Sequence, residues 1–346
     1  MQLDPTEIRK ILVVRLRSIG DTVLSTPTLI ALRKSFPNAR IDVLLEDWVA
    51  PVLSDFDAIN SVVSVKNSLK DKILKAFLIR RRKYDLAINL HGGSTSTLLT
   101  RATGAKIRVG YQEHRYSTLY THPVHSSAEF WGRVPTHSAE QQMALAGSIG
   151  AEVSSEIKSR LTLNKRAEES ILDKLGITLN NKPLALIHPV AAFETKQWYA
   201  GGFSAVVDFL WESGFQVILV GTPNEASVLK KVKVASHSEL TILTGLTLPE
   251  ITALAAHSKV FIGNDSGIAH IAAAVGTPSV VIFGSSNRNH WYPWTNAPYS
   301  IVYEKYDCQP CAGYVCTEFD EPKCIYSVKP RDVLVAVRKV LSGVAQ

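Results

Sequence analysis

The chain has 346 residues, of which 46% are hydrophobic and 20% are charged, and its formal net charge is +7. These values are typical of a folded protein with about two domains, and they exclude an intrinsically disordered chain. No stretch approaches the roughly 18 uninterrupted apolar residues of a transmembrane helix, and the start MQLDPTEIRK does not have the pattern of a signal peptide. We therefore expect a cytoplasmic protein.

The charge excess lies in the first part of the chain. Residues 1–160 contain 22 Lys and Arg against 15 Asp and Glu, whereas residues 161–346 contain 16 of each. Such a basic half favours an anionic acceptor or an anionic membrane surface as its partner. The run RRRK at residues 80–83 fits that function, but it also fits a solvated helix end, where cations are favourable. No nucleic-acid motif accompanies the charge, so we expect no nucleic-acid partner.

The chain begins with a strand, a polar turn and a helix. Residues 11–14 (ILVV) predict a short buried strand, and the apolar positions of residues 23–32 predict the helix. Gly20 permits a tight turn between them, and Asp21 lies at its exit. The same turn carries Arg15, Arg17 and Ser18, which are candidates for contact with an anionic acceptor.

Strand and helix patterns then alternate along the whole chain. A polar segment at residues 154–166 separates two such series and is a candidate linker. Predicted strands lie at residues 40–45, 62–65, 85–90 and 107–110 in the first series, and at residues 184–188, 216–220 and 241–243 in the second. Predicted helices follow at residues 203–211, 225–232 and 331–341. The alternation predicts an α/β fold with a doubly wound parallel sheet in each half.

Residues 259–284 (KVFIGNDSGIAHIAAAVGTPSVVIFG) predict a strand, a polar turn, an apolar helix and a second strand. Asp265, Ser266 and Gly267 lie where the helix begins, at the carboxyl end of the strand. Free backbone N–H groups and the positive end of the helix dipole would bind a diphosphate there. His270 lies three residues after Gly267 on the same helix face, close to that position. The alternative is that these residues only cap a core helix and that His270 belongs to the core.

Three segments of the chain resemble the signature segments of glycosyltransferase family 9, the ADP-heptose:lipopolysaccharide heptosyltransferases. They are IGDTVLSTPTLIALRKSFP, HPVAAFETKQW and NDSGIAHIAAAVGTPSVVIFG, and the similarity runs over nearly the whole chain in the order of the family. The resemblance implies the GT-B architecture, in which two Rossmann-like domains face a central cleft. We expect an acceptor-binding domain over residues 1–165, a nucleotide-sugar-binding domain over 166–328, and a helix in 329–346 that packs back on the first domain.

The resemblance also implies roles for single residues. Asp21 matches the catalytic aspartate of the family, whose carboxylate would take a proton from the acceptor hydroxyl. Lys196 matches a lysine that contacts the sugar nucleotide and would neutralise charge on the departing diphosphate. Glu225 matches a glutamate that binds the nucleoside through its ribose. A helix cap, a surface lysine and a first-turn helix acid remain the alternatives for the three residues.

Two further clusters bear on metals. Asp55 and Asp57 form a D-x-D pair, but they lie outside the turns that carry the other candidates. Lys196 and the N-terminus of the helix after Asp265 would take the place of a metal at the diphosphate. We therefore expect no catalytic cofactor. All the cysteines of the chain fall within 17 residues, as Cys308, Cys311, Cys316 and Cys324. In a cytosolic protein this clustering favours a structural Zn or Fe site over disulfides, with free or oxidised thiols as the alternative.

Together these features predict an inverting glycosyltransferase that transfers a heptose from ADP-heptose to the lipopolysaccharide inner core. Asp21 would be the general base, and the acceptor would contact Arg15, Arg17, Ser18 and Gly20. The donor would be bound by Lys196, Glu225, Asp265, Ser266, Gly267 and His270. We expect the enzyme to be peripheral at the cytoplasmic face of the inner membrane. Alternatives are a transferase of the same family with a protein or other glycan acceptor, and a catalytically silent nucleotide-binding paralogue, against which the presence of both Asp21 and Lys196 speaks.

Overall fold

The computed structural model describes residues 2–176, 182–311 and 313–343. The chain divides into two compact units, Met1–Thr162 and Leu163–Gln346. The sequence placed the domain boundary three residues later, after residue 165. In the described part of the chain, none of the helices has the length and apolar character that crossing a membrane requires.

Six strands and six helices form the first unit. The strands are β1 (Lys10–Leu16), β2 (Arg40–Glu46), β3 (Ser61–Val65), β4 (Leu86–Asn89), β5 (Ile107–Tyr111) and β6 (His122–Val124). The helices are α1 (Ile19–Val23), α2 (Thr26–Ser35), α3 (Leu69–Arg81), α4 (Ser94–Ala102), α5 (Ser127–Trp131) and α6 (Ser138–Gly147). All strands pair in parallel, in the order β3-β2-β1-β4-β5-β6.

Local sequence explains two differences from the predicted elements of this unit. The single helix expected after β1 is two helices, α1 and α2, because Pro27 lies in the first turn of α2 and has no N–H to continue α1. The edge strand β6 was not predicted, since its three residues include Pro123 and are too few to show an apolar pattern. The central strands β1 and β2 are buried along almost their whole length, as expected where helices cover both faces of a sheet.

The second unit repeats this plan with six further strands. They are β7 (Leu184–His188), β8 (Gln216–Gly221), β9 (Thr241–Thr244), β10 (Ser258–Asn264), β11 (Ser279–Ile282) and β12 (Tyr299–Val302). The helices are α7 (Lys165–Lys174), α8 (Ala200–Glu212), α9 (Ala226–Ala235), α10 (Leu248–His257), α11 (Gly267–Ala274), α12 (Arg288–Trp291), α13 (Lys323–Tyr326) and α14 (Pro330–Leu341). The sheet is parallel, in the order β12-β11-β10-β7-β8-β9.

The two units share one strand order, although the sequence shows no internal repeat. Read from its other edge, the second sheet runs β9-β8-β7-β10-β11-β12, which matches the first sheet strand for strand. In each sheet the strand order changes direction between the first and the fourth strand. These neighbours are β1 and β4 in the first sheet, and β7 and β10 in the second. Open parallel sheets bind ligands in the crevice at the carboxyl ends of such strands. The predicted fold class, α/β with a doubly wound parallel sheet in each half, is confirmed.

The last helix, α14, packs within the second unit. Its side chains Val333, Ala336, Val337 and Val340 are buried in the core beside α8 and the sheet. Their spacing of three and four residues forms one apolar stripe, which the sheet covers. The family resemblance had suggested that this helix packs on the first domain. The predicted segment extends to residue 346, and its residues 344–346 lie outside the described part of the chain.

Candidate functional site

In the first unit, the candidate base Asp21 lies at the carboxyl end of β1. It belongs to the first turn of α1, and Ser18 rather than Asp21 occupies the N-cap position. The Ser18 hydroxyl donates to Asp21 Oδ2 at 3.0 Å, and the Arg15 guanidinium forms an ion pair with Asp21 Oδ1. The Asp21 side chain is 21% exposed, so one side of the carboxylate stays open to a substrate. A carboxylate held from two sides and open on a third is suited to accept a proton.

Arg15 is engaged with protein groups. Its guanidinium is buried, with Nη1 donating to the Leu90 carbonyl at 3.2 Å and lying 3.0 Å from His91 Nδ1, while Nη2 pairs with Asp21. Burial lowers the pKa of Arg15, and the Asp21 charge acts in the opposite direction. The neighbouring candidates differ from it, because Arg17 and Ser18 are exposed and Gly20 is buried. Arg15 therefore orients Asp21, and Arg17 is the cation of this turn that a ligand can reach.

His91 lies two residues after β4 and contacts Arg15 beside Asp21. Burial, with the Arg15 charge as a second cause, lowers the pKa of His91 to about 4, so the ring is neutral at pH 7. Arginine can only donate, so Nδ1 accepts from Arg15 and Nε2 carries the proton. The Arg17 carbonyl lies 3.1 Å from the same Nδ1, and in this tautomer that contact is not a hydrogen bond. His91 therefore supports Arg15 without adding charge beside Asp21.

In the second unit, a lysine and a carboxylate meet at the carboxyl edge of the sheet. Lys196 Nζ lies 2.9 Å from Asp265 Oδ2, and the Ser286 hydroxyl donates to the same oxygen at 2.5 Å. Lys196 ends a 3-10 turn, Glu194–Lys196, in the segment after β7, whereas Asp265 directly follows β10. Asp265 therefore holds the lysine in place and does not cap α11. The Lys196 side chain remains 21% exposed and can reach a ligand.

The first turn of α11 is arranged to bind an anion. Ser266 occupies its N-cap position but makes no side-chain bond to the helix, since its Oγ lies 3.2 Å from His188 Nδ1. Gly267 begins the helix, and its first-turn N–H groups have no side-chain cap. Such groups, with the positive end of the dipole, favour phosphate oxygens. Burial lowers the pKa of His188 to about 4, so this neighbour adds no positive charge at pH 7.

Glu225 and His270 are less open to a ligand than the other predicted donor residues. Glu225 is half-buried, and its Oε2 accepts the Thr222 N–H at 2.7 Å in a capping box before α9. This contact fits the alternative for Glu225, an acid in the first turn of a helix, and it engages Oε2. His270 is buried within α11.

The structure thus gathers the predicted residues into two groups, one in each unit. Arg15, Ser18 and Asp21 meet at the end of β1, and at the ends of β7 and β10 Lys196 contacts Asp265 and Ser266 contacts His188. His91 and His188 were visible in the sequence as histidines at the ends of predicted strands, whereas Ser286 was not predicted. His188 ends β7 and His91 lies two residues after β4, so a predicted strand end was the signal for both, whereas Ser286 lies four residues after β11 and had no such signal.

Comparison with known proteins identifies the family. Residues 75–320 match the model of glycosyltransferase family 9 (heptosyltransferase). A relative from Escherichia coli, lipopolysaccharide heptosyltransferase 3, is 30% identical over 348 residues, which cover 94% of this chain and 97% of the relative. The chain belongs to glycosyltransferase family 9.

Two solved structures of family 9 agree with this fold. A glycosyl transferase family 9 protein from Veillonella parvula superposes with a TM-score of 0.83 at 21% identity, and the match covers 99% of both chains. The E. coli ADP-heptose lps heptosyltransferase II superposes with a TM-score of 0.80 at 22% identity, over 96% of this chain and 98% of that one. Because both identities are below 25%, the two superpositions are evidence for the fold of this chain.

Among the described residues of the cysteine-rich segment, no group of side chains is arranged to hold a metal ion. Cys311 is exposed, Cys308 and Cys316 are half-buried, and Cys324 is buried on α13. Burial raises the pKa of Cys324 to about 11, and the other three thiols act in the same direction. Within the described residues, no three His, Cys, Asp or Glu side chains are grouped to hold a metal ion. The predicted Zn or Fe site is therefore not supported by the positions of its proposed ligands.

We expect the neutral state of His188 to appear in the pH dependence of stability. The folded pKa of about 4 lies below the ordinary value of about 6.5, so in this window the unfolded chain binds a proton that the folded chain does not. Titration of His188 leaves the free energy of unfolding at its full value above pH 6.5. Below pH 6.5 that free energy falls as pH drops towards 4, by up to about 1.4 kcal/mol per pH unit. His188→Asn keeps a polar partner for Ser266 but cannot titrate, so its unfolding free energy should fall less steeply.

Urea unfolding between pH 4 and 7 measures this difference in slope. His237→Asn removes an exposed histidine after α9 and is the matched control, for which we expect the slope of the wild type. Identical slopes in the wild type and His188→Asn would contradict a buried, neutral His188.

Proposed function

We propose that this glycosyltransferase transfers a heptose from ADP-heptose to the inner core of lipopolysaccharide, with inversion at the anomeric carbon. The observation that carries the proposal is the Asp21 carboxylate, which Arg15 and Ser18 hold in place. The same chain has Lys196 beside the start of α11, whose first N–H groups have no side-chain cap. The names of its relatives, a lipopolysaccharide heptosyltransferase 3 and an ADP-heptose lps heptosyltransferase II, support heptose as the sugar and lipopolysaccharide as the acceptor.

On the acceptor side, Asp21 is the proposed general base. Its open side accepts the proton of an acceptor hydroxyl while the oxygen of that hydroxyl bonds to the anomeric carbon. The bond from that carbon to the diphosphate oxygen breaks in the same displacement, which inverts the configuration. Arg15 and Ser18 keep the carboxylate in one orientation, so no reorganisation is needed as the proton moves.

On the donor side, the second unit is the proposed site of ADP. The first-turn N–H groups of α11, from Gly267 onwards, receive phosphate oxygens, and Lys196 offsets the charge that develops on the departing diphosphate. Asp265 and Ser286 orient the lysine, since both contact the carboxylate that binds it. Glu225 Oε1 is the proposed acceptor for a ribose hydroxyl, and His270 supports α11 from the core.

The remaining assignments follow the same division. We assign residues 1–165 to acceptor binding, with Arg17 as the accessible cation, and residues 166–328 to the donor. A lipopolysaccharide acceptor is anchored in a lipid bilayer, so the enzyme must act as a peripheral protein at the cytoplasmic face of the inner membrane.

Incubation with ADP-heptose and a panel of core saccharides, peptides and other glycans tests the proposed acceptor. Transfer only to peptides would contradict a lipopolysaccharide acceptor. Zn or Fe at the cysteines stays a sequence prediction, which elemental analysis would test.

We expect ADP to bind without a divalent ion, because the α11 amides and Lys196 provide the positive field that Mg²⁺ supplies in other sites. Isothermal titration with ADP in excess chelator should give the same Kd as titration with added Mg²⁺. Binding that disappears in chelator and returns with Mg²⁺ would contradict the proposed donor site.

A further inference from the structure

Helix α3 carries an unusual surface. Only Ile79 of its 13 residues is buried, and the helix contacts β3 and α4 on that side. Five large apolar side chains on the opposite side are between 36% and 74% exposed; they are Leu69, Ile73, Leu74, Phe77 and Leu78. Leu98 on the adjacent α4 is exposed as well. Soluble proteins seldom expose so many large apolar groups together unless another surface covers them.

The same surface is strongly basic. Residues 66–83 contain eight Lys and Arg and one acid, Asp71, a surplus of seven charges that equals the net charge of the whole chain. Asp71 is turned to the backbone, where it accepts the Lys66 N–H at 2.6 Å. Arg82 pairs with Asp42, but Lys70, Arg80 and Arg81 form no ion pair with any described residue. All three are exposed; Lys70 and Arg81 lie on the same face of the helix as the apolar side chains, whereas the Arg80 guanidinium packs over Gly104.

We propose that this surface, formed by α3 and Leu98, docks the enzyme on an anionic lipid bilayer. Apolar side chains interleaved with Lys and Arg match the boundary between acyl chains and phosphate headgroups, where the cations extend their long stems to reach the phosphates. The helix is about 20 Å long, too short to span a bilayer, so it lies in the interface. A second copy of the chain is disfavoured as the occupant, because two such faces would bring seven positive charges against seven.

The proposal deepens the membrane association proposed above and rests on it, since it names the surface that makes the contact. It does not depend on the identity of the transferred sugar. All its residues lie in the first unit and outside the Asp21 group, so variants of α3 leave the proposed catalytic residues in place.

Co-flotation of the full chain with vesicles tests the proposal. Vesicles of phosphatidylcholine with about a third phosphatidylglycerol should bind the wild type, with binding that weakens as salt rises, and pure phosphatidylcholine should bind it poorly. Ile73→Ser/Phe77→Ser should lower the apparent partition coefficient by about tenfold or more. Lys70→Gln and Arg81→Gln should each lower it by about fivefold at low salt. Val234→Ser, an exposed apolar residue on α9, is the control and should bind like the wild type.

Turnover of ADP-heptose with a water-soluble core saccharide separates this proposal from the proposed function. All four variants should keep the wild-type kcat and melting temperature, which shows that folding and chemistry are intact. A wild type that ignores anionic vesicles overturns the lipid assignment. Equal binding by the wild type and Ile73→Ser/Phe77→Ser overturns the choice of α3. A dimer that Phe77→Ser dissociates, without vesicle binding, would identify a second copy as the occupant and overturn the proposal.

Discussion

Asp21→Asn should lower kcat by about 10² to 10⁴ and leave the Kd for ADP unchanged. The amide keeps the size of the side chain and can still accept from Ser18, but it cannot take a proton from the acceptor hydroxyl. ADP binding should persist, because its proposed contacts belong to the second unit. Steady-state kinetics with ADP-heptose and a core saccharide, together with ADP titration, measure the two quantities.

The buried Arg15 calls for a control on stability. Asp21→Asn removes the charge partner of a guanidinium that is only 7% exposed, which costs up to about 3 kcal/mol of unfolding free energy. Arg15→Met/Asp21→Asn removes both charges, so it should recover most of that stability while kcat stays low. Arg15→Met alone should retain more activity than Asp21→Asn, since the base is present but poorly oriented. An Asp21→Asn enzyme within about tenfold of the wild-type kcat would show that the base lies elsewhere.

Lys196→Met should lower kcat/KM by about 10² to 10³, because it removes the cation that we propose stabilises the departing diphosphate. The same substitution should weaken ADP binding more than adenosine binding, since adenosine has no phosphate for the lysine to contact. A purely structural lysine would affect both ligands alike. Lys230→Met on α9 replaces an exposed lysine of the same unit and should change none of these values.

The Lys196–Asp265 pair provides a second comparison. Asp265→Asn keeps the ammonium but loses the charge that orients it, so we expect a smaller loss in kcat/KM than for Lys196→Met. Lys196→Arg keeps the charge with a different shape and should retain part of the activity. If adenosine and ADP lose affinity equally in Lys196→Met, the proposed role at the leaving group is wrong.

The sequence predicted the central strands because they are buried on both faces. Strands β1, β2, β7 and β10 are nearly continuous apolar runs bounded by polar turns, a pattern that depends on local residues alone. The edge strands β6 and β12 were missed. Each has at most four residues and is only partly buried, so its apolar pattern is weak.

The candidate site was predictable in its positions and not in its contacts. Turns at strand ends pointed to Asp21, Lys196 and Asp265, but the partners of these residues are set by packing over long sequence distances. Lys196 meets Asp265 across 69 residues, and Arg15 meets His91 across 76. The burial of Arg15 and its pairing with Asp21 were not predicted for this reason, since a basic residue in a predicted turn gives no sign that its side chain is buried. The apolar face of α3 was overlooked because periodicity does not say which side of a helix meets the protein.

The repeated strand order gives this glycosyltransferase two hydrophobic cores, one in each compact unit. Each sheet is closed by its own helices, and α14 completes the second core with side chains from the end of the chain. A ligand stabilises only the folded unit that binds it, in proportion to the logarithm of its concentration. If the second unit binds ADP as proposed, a cell rich in nucleotide would protect that unit from unfolding and proteolysis, while the unit that carries Asp21 would persist on its intrinsic stability. The turnover of this protein in the cell would then be set by the stability of its first unit.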